Sequence, residues 1–320
     1  MDFALRPLTL GERPQLERAI AEMTPCERSP LAHWAFAPHF IWQGALNYCW
    51  TVLDGWWCIF ADCADGLYMP LPPVGAWPRG VPDVAESWKK TVVRAMEYLR
   101  HRNGGSSVTR IDNIPEELLP HFESLGYRLT LKDPDYCYRT ADLAALRGQA
   151  FKSQRAACNR LSRTHRVHYV PYRRDDREAC LAVLDRWILQ KRQSLASSNP
   201  DMNAGAVDML GDAARAHRVA LEYDDALGLV GRVVRVDGVI AGYTFGFERS
   251  SDVFCVLLEV ADRTITGLAQ FLFRELCREM QRYPLLNTMD DAGLSRLAAS
   301  KRLYRPCRLV PAYVATYSDS

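Results

Sequence analysis

The sequence has no Cys-x-x-Cys pair, no Gly-x-Ser-x-Gly elbow, no Walker-type phosphate loop and no His-Glu-x-x-His helix. Its ten cysteines follow no regular spacing, which fits reduced, mostly buried thiols in a cytoplasmic setting better than a disulfide or zinc framework. The seven histidines are scattered without ligand spacing, so no metal is expected. The opening "MDFALRPLTLGERPQLERAI" has neither the basic head nor the apolar stretch of a signal peptide, so export by that route is not expected. The most apolar segments, around 47–60 and 227–247, are broken by Asp54 and Gly55 and by Arg232, Arg235 and Asp237, so neither can span a bilayer. A formal net charge of +2 does not by itself announce a nucleic-acid or membrane partner. What is present is a 320-residue chain, 48% hydrophobic, long enough to bury one large core or two smaller ones.

Pattern then suggests organisation. "LNYCWTVLDGWWCIFADCADGLYMPLPP" reads as three short strands joined at Asp54-Gly55 and Asp65-Gly66, because both turn residues tolerate positive φ. The helix "SWKKTVVRAMEYLRHR" follows, with Val92, Ala95, Met96 and Leu99 on one face, then a strand, "VTRID", a helix, "PEELLPHFESLGY", and two strands ending in "YCYRTADL". The second half repeats the order: strands "LGLVGRVVRVDGVIAGYTFGFE" and "VFCVLLEVA", the helix "GLAQFLFRELCREMQRY", the strand "LLNTMDD", the helix "GLSRLAASKRLY" and a closing strand, "LVPAYVATY". The matching "LGY" and "RLY" endings suggest an internal duplication. The expected division is 1–145, a basic connecting helix at 146–165, and 166–320 carrying the active site.

Residues 147–174 hold Arg147, Lys152, Arg155, Arg160, Arg163, Arg166, Arg173 and Arg174 with no acidic residue among them. Lys152, Arg155, Asn159, Arg163 and Arg166 fall at steps of three and four, so they share a helix face that suits a phosphate backbone. The plainer reading is a solvated face. Tyr169 and Tyr172 could stack on an unpaired 3′ end or lie in the core, and His165 and His168 extend the basic stretch.

A hairpin-rich sheet, then a strand feeding a glycine turn and a helix, then strand, helix and strand, resembles the GNAT acyltransferase fold. In GNAT enzymes the turn after the central strand carries a Gln/Arg-x-x-Gly-x-Gly/Ala loop whose N–H groups receive a pyrophosphate. Thr264-Ile265-Thr266-Gly267-Leu268-Ala269 fits its second half, with Arg263 one residue early. The alternative for Gly267 is close helix packing.

From "YCYRTADLAALRGQAFKSQRAACNRL" through "LLEVADRTITGLAQF" to "LLNTMDDAGLSRLAASKRLYRP", the chain resembles the C-terminal domain of phosphatidylglycerol lysyltransferases and their soluble relatives, over nearly its whole length. The resemblance rests on Tyr138, Leu143, Gly148, Lys152, Arg155 and Asn159, then Glu259, Ala261, Asp262 and Gly267, then Asn287, Asp291, Gly293, Lys301, Tyr304 and Pro306. It implies an α/β fold of tandem GNAT-like domains, related to Fem-type transferases, that moves an aminoacyl group from charged tRNA to an acceptor. Departures stand beside the matches: the family's His-x-Glu-Lys is Leu257-Leu258-Glu259-Val260 here, and its Asn-Arg-Glu is Asn287-Thr288-Met289. The transmembrane half of membrane-anchored relatives has no counterpart in these residues, which makes a lipid acceptor less expected than in those proteins.

Acyl transfer needs a carboxylate to grip a cationic amine or take its proton, and an oxyanion donor that is a main-chain N–H in this fold. Glu259, Asp262, Asp290 and Asp291 supply carboxylates at strand ends, while a strand-end turn and a helix N-cap are the structural alternatives for Asp262 and Asp291. Glu259, Asp291, Tyr304 and Lys301 are the expected catalytic group, with Tyr304 protonating a leaving group or simply lying buried. Asp262, Arg263, Gly267, Ala269 and Asn287 are expected at the donor, and Lys152, Arg155, Asn159, Arg163 and Arg166 on tRNA. No tightly bound cofactor is expected; aminoacyl-tRNA is the leading co-substrate. Acyl-CoA, held at the Gly267 turn, and a non-catalytic RNA- or partner-binding module remain alternatives.

Overall fold

The structure is a computed structural model describing residues 3–81, 83–196 and 204–318. It divides into two compact units, Met1–Asp135 with Val310–Ser320, and Tyr136–Leu309. These limits differ from the expected 145 and 166: the basic helix is part of the second unit, and the last strand belongs to the first.

In the first unit, β1 (Arg6–Pro7), β2 (Asn47–Leu53), β3 (Trp56–Cys63) and β4 (Gly66–Tyr68) form an antiparallel sheet in that order. Asp54 and Gly55, at φ +51° and +87°, make the tight β2–β3 turn that a hairpin of this twist demands. Helices α1 (Arg13–Ala21), α2 (Ala37–Phe40), α3 (Asp83–Arg102) and α4 (Leu119–Ser124) accompany it. α3 buries Trp88, Val92, Ala95, Met96 and Leu99, the stripe that its 3.6-residue period supplies. A second sheet sets β5 (Ile111–Ile114) and β6 (Arg128–Leu131) on either side of β14 (Tyr313–Thr316).

The second unit is built on a seven-stranded sheet. In chain order its elements are β7 (Asp135–Arg139), α5 (Thr140–Ala145), α6 (Lys152–Thr164), β8 (Val167–Pro171), α7 (Arg177–Ala196), α8 (Ala204–Tyr223), β9 (Val230–Val236), β10 (Val239–Ser250), β11 (Val253–Ala261), α9 (Leu268–Glu279), β12 (Leu285–Asn287), α10 (Ser295–Arg302) and β13 (Arg308–Val310). Strands lie in the order β13-β7-β12-β11-β10-β9-β8, antiparallel from β8 to β11 and parallel at β11–β12. One face carries Leu268, Leu272 and Leu276 of α9 with Cys158 and Leu161 of α6; the other carries Cys180, Val183 and Leu184 of α7 with Leu221 of α8. Helices on both faces of one sheet give two apolar layers. All ten cysteines are free and seven are buried, as expected of small apolar residues.

"LVPAYVATY", expected as one strand, is two. Pro311 has no N–H to continue a ladder, and the chain breaks there, so β13 stays with the second unit's sheet and β14 joins the first's.

Candidate functional site

β11 pairs with β10 along its length but with β12 only where Val253–Cys255 meet Leu285–Asn287. Beyond Cys255 its β12 edge has no ladder partner among the described residues, leaving main-chain groups facing a notch. The β10–β11 register slips there: Phe245 opposes Leu258, while Gly246 opposes Val256, so Leu257 is an extra residue. A Cβ at Gly246 would lie 2.4 Å from the Cys255 carbonyl oxygen, so only glycine fits opposite this bulge. The bulge reverses the alternation of side chains. Phe254 and Val256 precede it on the α9 face, after it Ala261 packs there, and Val260 packs on the α7 face. Glu259 thereby comes to the α9 side, where its charge reaches Tyr304 and Cys277.

Glu259 is half-buried, but its Oε2 is sealed from solvent and meets no hydrogen-bond partner. Desolvation pushes its carboxyl up to about 8. Tyr304 packs edge-on against Phe273 at 4.9 Å, and its hydroxyl makes no hydrogen bond to protein among the described residues. Burial, then the charge of Glu259, raises the phenol far above its ordinary range. Of the four residues expected to be catalytic, these two lie on the α9 side of the sheet, where the charge of Glu259 acts on Tyr304.

Lys301 and Asp291 do other work. The Lys301 ammonium donates to the carbonyls of Thr288 at 2.6 Å, Met289 at 3.0 Å and Asp290. Buried Asn287 accepts the Met289 N–H at 2.6 Å, holding Met289 in the left-handed region at φ +63°. Asp291 accepts the Tyr136 hydroxyl at 2.6 Å and the Gly293 N–H at 3.1 Å, and α10 starts later, at Ser295, so Asp291 is not an N-cap. Burial and this bond to Asp291 raise the Tyr136 pKa. Lys301, Asn287 and Asp291 are thus positioning residues for the turn beside the notch. Lys301 grips backbone, so the staple forms although Thr288 and Met289 replace the family's Arg and Glu.

After β11, Asp262 accepts the Thr264 N–H at 3.0 Å and hydroxyl at 2.7 Å, with Gln190 at 3.4 Å and Arg186 at 3.5 Å on α7. Burial opposes its ionisation, but these partners hold the carboxyl below its ordinary value. Arg263 and Ala269 are exposed. Gly267 sits at φ +89°, and an added Cβ would lie 2.3 Å from the Ala157 carbonyl oxygen of α6. Close helix packing, the alternative reading of this glycine, accounts for it.

α6 buries Gln154, Cys158 and Leu161, which leaves Lys152, Asn159 and Arg163 on the opposite, exposed face. Arg166 is exposed beyond the helix end. Among the described residues no carboxylate pairs with Lys152, Arg160 or Arg163, whereas Asp237 meets His165 at 2.7 Å and accepts the Arg166 N–H at 2.9 Å. Arg155 departs from the expected face. Its guanidinium donates to the carbonyls of Leu146 and, at 3.0 Å, Gly148, tying an elbow where both residues have positive φ. Tyr169 and Tyr172 are engaged within the fold, by Glu279 at 2.7 Å and the Leu221 carbonyl at 2.8 Å, so neither is a stacking platform. Sequence reasoning passed over α7, although Cys180, Val183, Leu184, Trp187 and Ile188 follow the helical period.

Strand order, the parallel pair that parts over a bulged strand, and the turn into α9 define a GNAT-like acyltransferase fold. The chain belongs to the phosphatidylglycerol lysyltransferase C-terminal family, which it matches over residues 30–316. Membership of this family makes it an acyltransferase of the aminoacyl-transferring kind. Comparison with curated proteins gives no match. Among solved structures it is similar to a conserved protein of unknown function from Bacteroides thetaiotaomicron VPI-5482 (TM-score 0.78, 21% identity, 99% of this chain and 100% of that one). It is also similar to the C-terminal domain of a putative lysylphosphatidylglycerol synthetase from Agrobacterium fabrum (0.63, 16%, 97% and 93%) and to L-PGS from Bacillus licheniformis (0.60, 15%, 96% and 92%). At these identities the likeness is one of fold. No helix among the described residues is long and apolar enough to cross a membrane.

Proposed function

We propose that the chain takes an aminoacyl group from aminoacyl-tRNA at the β11–β12 notch and passes it to an amine or hydroxyl of a lipid headgroup, small molecule or peptide. The sealed, unpartnered carboxyl of Glu259, whose charge acts on the Tyr304 phenol, carries this reading. A carboxyl raised to about 8 is matched to proton transfer near neutrality, and a cationic amine entering the notch would supply the partner that it lacks. An ammonium acceptor first loses its extra proton to solvent; the neutral amine, or a hydroxyl, then attacks the ester carbonyl carbon as one proton passes to the ionised form of Glu259. An unpaired N–H on the bulged edge of β11 holds the oxyanion. The ester C–O bond then breaks, and Tyr304 gives its proton to the departing ribose oxygen. Return of the proton from Glu259 to Tyr304, through the vacated notch, resets the pair.

Two observations favour tRNA over CoA as donor. α6 packs against Gly267 at the turn where a CoA pyrophosphate would sit, and its outer face carries cations without carboxylate partners. Ten free thiols accord with a reducing, cytoplasmic compartment. Filter retention of mixed charged tRNA and calorimetry with CoA thioesters test the choice. Retention is expected at low salt, with no heat from CoA. Reversing Lys152, Arg160 and Arg163, with Arg155 left to hold its elbow, should flatten log K against log salt by about 0.7 to 0.9 per lost contact. Micromolar CoA binding without tRNA retention would reverse the ranking.

A further inference from the structure

α10 buries none of its residues, and the segment that runs from it into β13 is rich in exposed leucine. Leu294, Leu297, Leu303 and Leu309 are 43%, 39%, 58% and 44% exposed, and among the described residues no other stretch of that length gathers as many exposed large apolar side chains. A helix this short has little stability of its own and ordinarily lies on the core by its apolar side. α10 is held otherwise. The Tyr138 hydroxyl donates to the Lys301 carbonyl at 3.0 Å, the Gln154 amide donates to the Leu303 carbonyl at 3.0 Å, and the Lys301 ammonium grips the carbonyls of 288–290. Polar ties fix the helix while its leucines stay in solvent. The same segment is basic throughout: Arg296, Lys301, Arg302, Arg305 and Arg308 lie between Asp291 and Asp319, and no acidic residue does. Arg296, Arg302 and Arg305 are exposed, and among the described residues none pairs with a carboxylate, although Arg302 also meets the Tyr136 hydroxyl.

We propose that residues 294–309, α10 and the segment leading into β13, dock on an anionic bilayer surface, with the leucines at the boundary of headgroups and acyl chains and the arginines against lipid phosphates and carboxylates. Facing a second copy of itself, this surface would set like charge against like. A nucleic acid would answer the arginines but leave the leucines in water. An anionic bilayer answers both, because apolar side chains gain by leaving water and the surface potential attracts each cation. No helix among the described residues is long and apolar enough to cross a membrane, so docking through these residues is peripheral and reversible. α10 also carries Lys301, which staples the turn beside the notch, so a bilayer held by α10 lies close to the site. The inference concerns this surface alone and holds whichever donor the site takes.

The test sediments the full chain with vesicles of phosphatidylcholine alone or mixed with phosphatidylserine. Phosphatidylserine, rather than phosphatidylglycerol, keeps a headgroup bound in the notch from being counted. One variant combines Arg296→Gln with Arg305→Gln, and a second combines Leu303→Gln with Leu309→Gln. These exposed side chains can be replaced with little effect on folding, and an unchanged urea midpoint checks it. The parent should bind the mixed vesicles at least about tenfold more tightly than the neutral ones. The arginine variant should bind them about 25-fold more weakly than the parent, about fivefold per cation, and with a flatter dependence on salt. The leucine variant should lose about tenfold and keep the parent's salt dependence. Absence of binding by the parent, or undiminished binding by either variant, overturns the docking surface. Tighter binding to an RNA duplex than to the mixed vesicles, lost with the arginines and kept without the leucines, assigns the surface to nucleic acid and also overturns it. None of these outcomes turns on aminoacyl transfer, which stands or falls by the tRNA and CoA measurements.

Discussion

Replacing Glu259 by Gln should stabilise the protein while abolishing transfer, and the stabilisation should depend on pH with a definite sign. Folding lifts the Glu259 carboxyl from 4.5 to about 8 through desolvation. Between those values the unfolded chain releases the proton while the folded chain keeps it, so the folded state binds more protons and stability falls as pH rises. The fall is complete once pH passes about 8. A displacement of this size corresponds to about 5 kcal/mol at 1.36 kcal/mol per pH unit, an upper bound because a half-buried residue can draw in water. Glutamine does not titrate, and every other group titrates in both proteins, so the difference between them isolates this carboxyl. Urea unfolding at about pH 5, 7 and 9 reads it directly. Near pH 5 the two proteins should be close in stability, and by pH 9 the variant should lead by as much as about 5 kcal/mol. A constant difference across that range would refute the reasoning, because the carboxyl would then be no more desolvated folded than unfolded.

Gly267→Ala should cost roughly 2 to 4 kcal/mol, combining a left-handed residue with a Cβ pressed on the Ala157 carbonyl oxygen, where backbone rather than a flexible side chain must yield. A urea midpoint indistinguishable from the parent's would show that α6 can move away. Lys301→Met should remove about 2 kcal/mol and speed amide exchange at Thr288–Asp290, whose carbonyls lose their common donor. Unchanged exchange there would mean that the turn holds itself.

Much of the architecture was legible because it rests on local rules. Asp54-Gly55 and Asp237-Gly238 make the expected tight turns, and α3 and α9 bury the stripes that their periods describe. Glu259 and Tyr304 stood in the sequence as separate members of a family pattern, and the fold brings the Glu259 charge to bear on Tyr304. What escaped depends on partners distant in sequence. Leu257 becomes a bulge only because Gly246 lies opposite, and no pattern within "VFCVLLEVA" announces it. Lys301 and Asp291 looked like chemistry because charged residues near a site invite that reading, whereas their hydrogen bonds go to a turn that only the folded chain creates. Gly267 suited a phosphate loop by composition, and the carbonyl that fills its vacant side comes from a helix more than a hundred residues earlier. Arg155 left the basic face for a similar reason: two carbonyls of the preceding elbow capture it.

The break at Pro311 bears on how the chain matures during synthesis. β14 lies between β5 and β6, so those two strands have no common neighbour until residues 313–316 have left the ribosome. The second unit, Tyr136–Leu309, is by then fully translated. The half that is made first is therefore the half that can close last, and until it closes it presents unpaired strand edges of the kind that chaperones protect. Cutting the chain between its two halves would leave the earlier one permanently short of its middle strand.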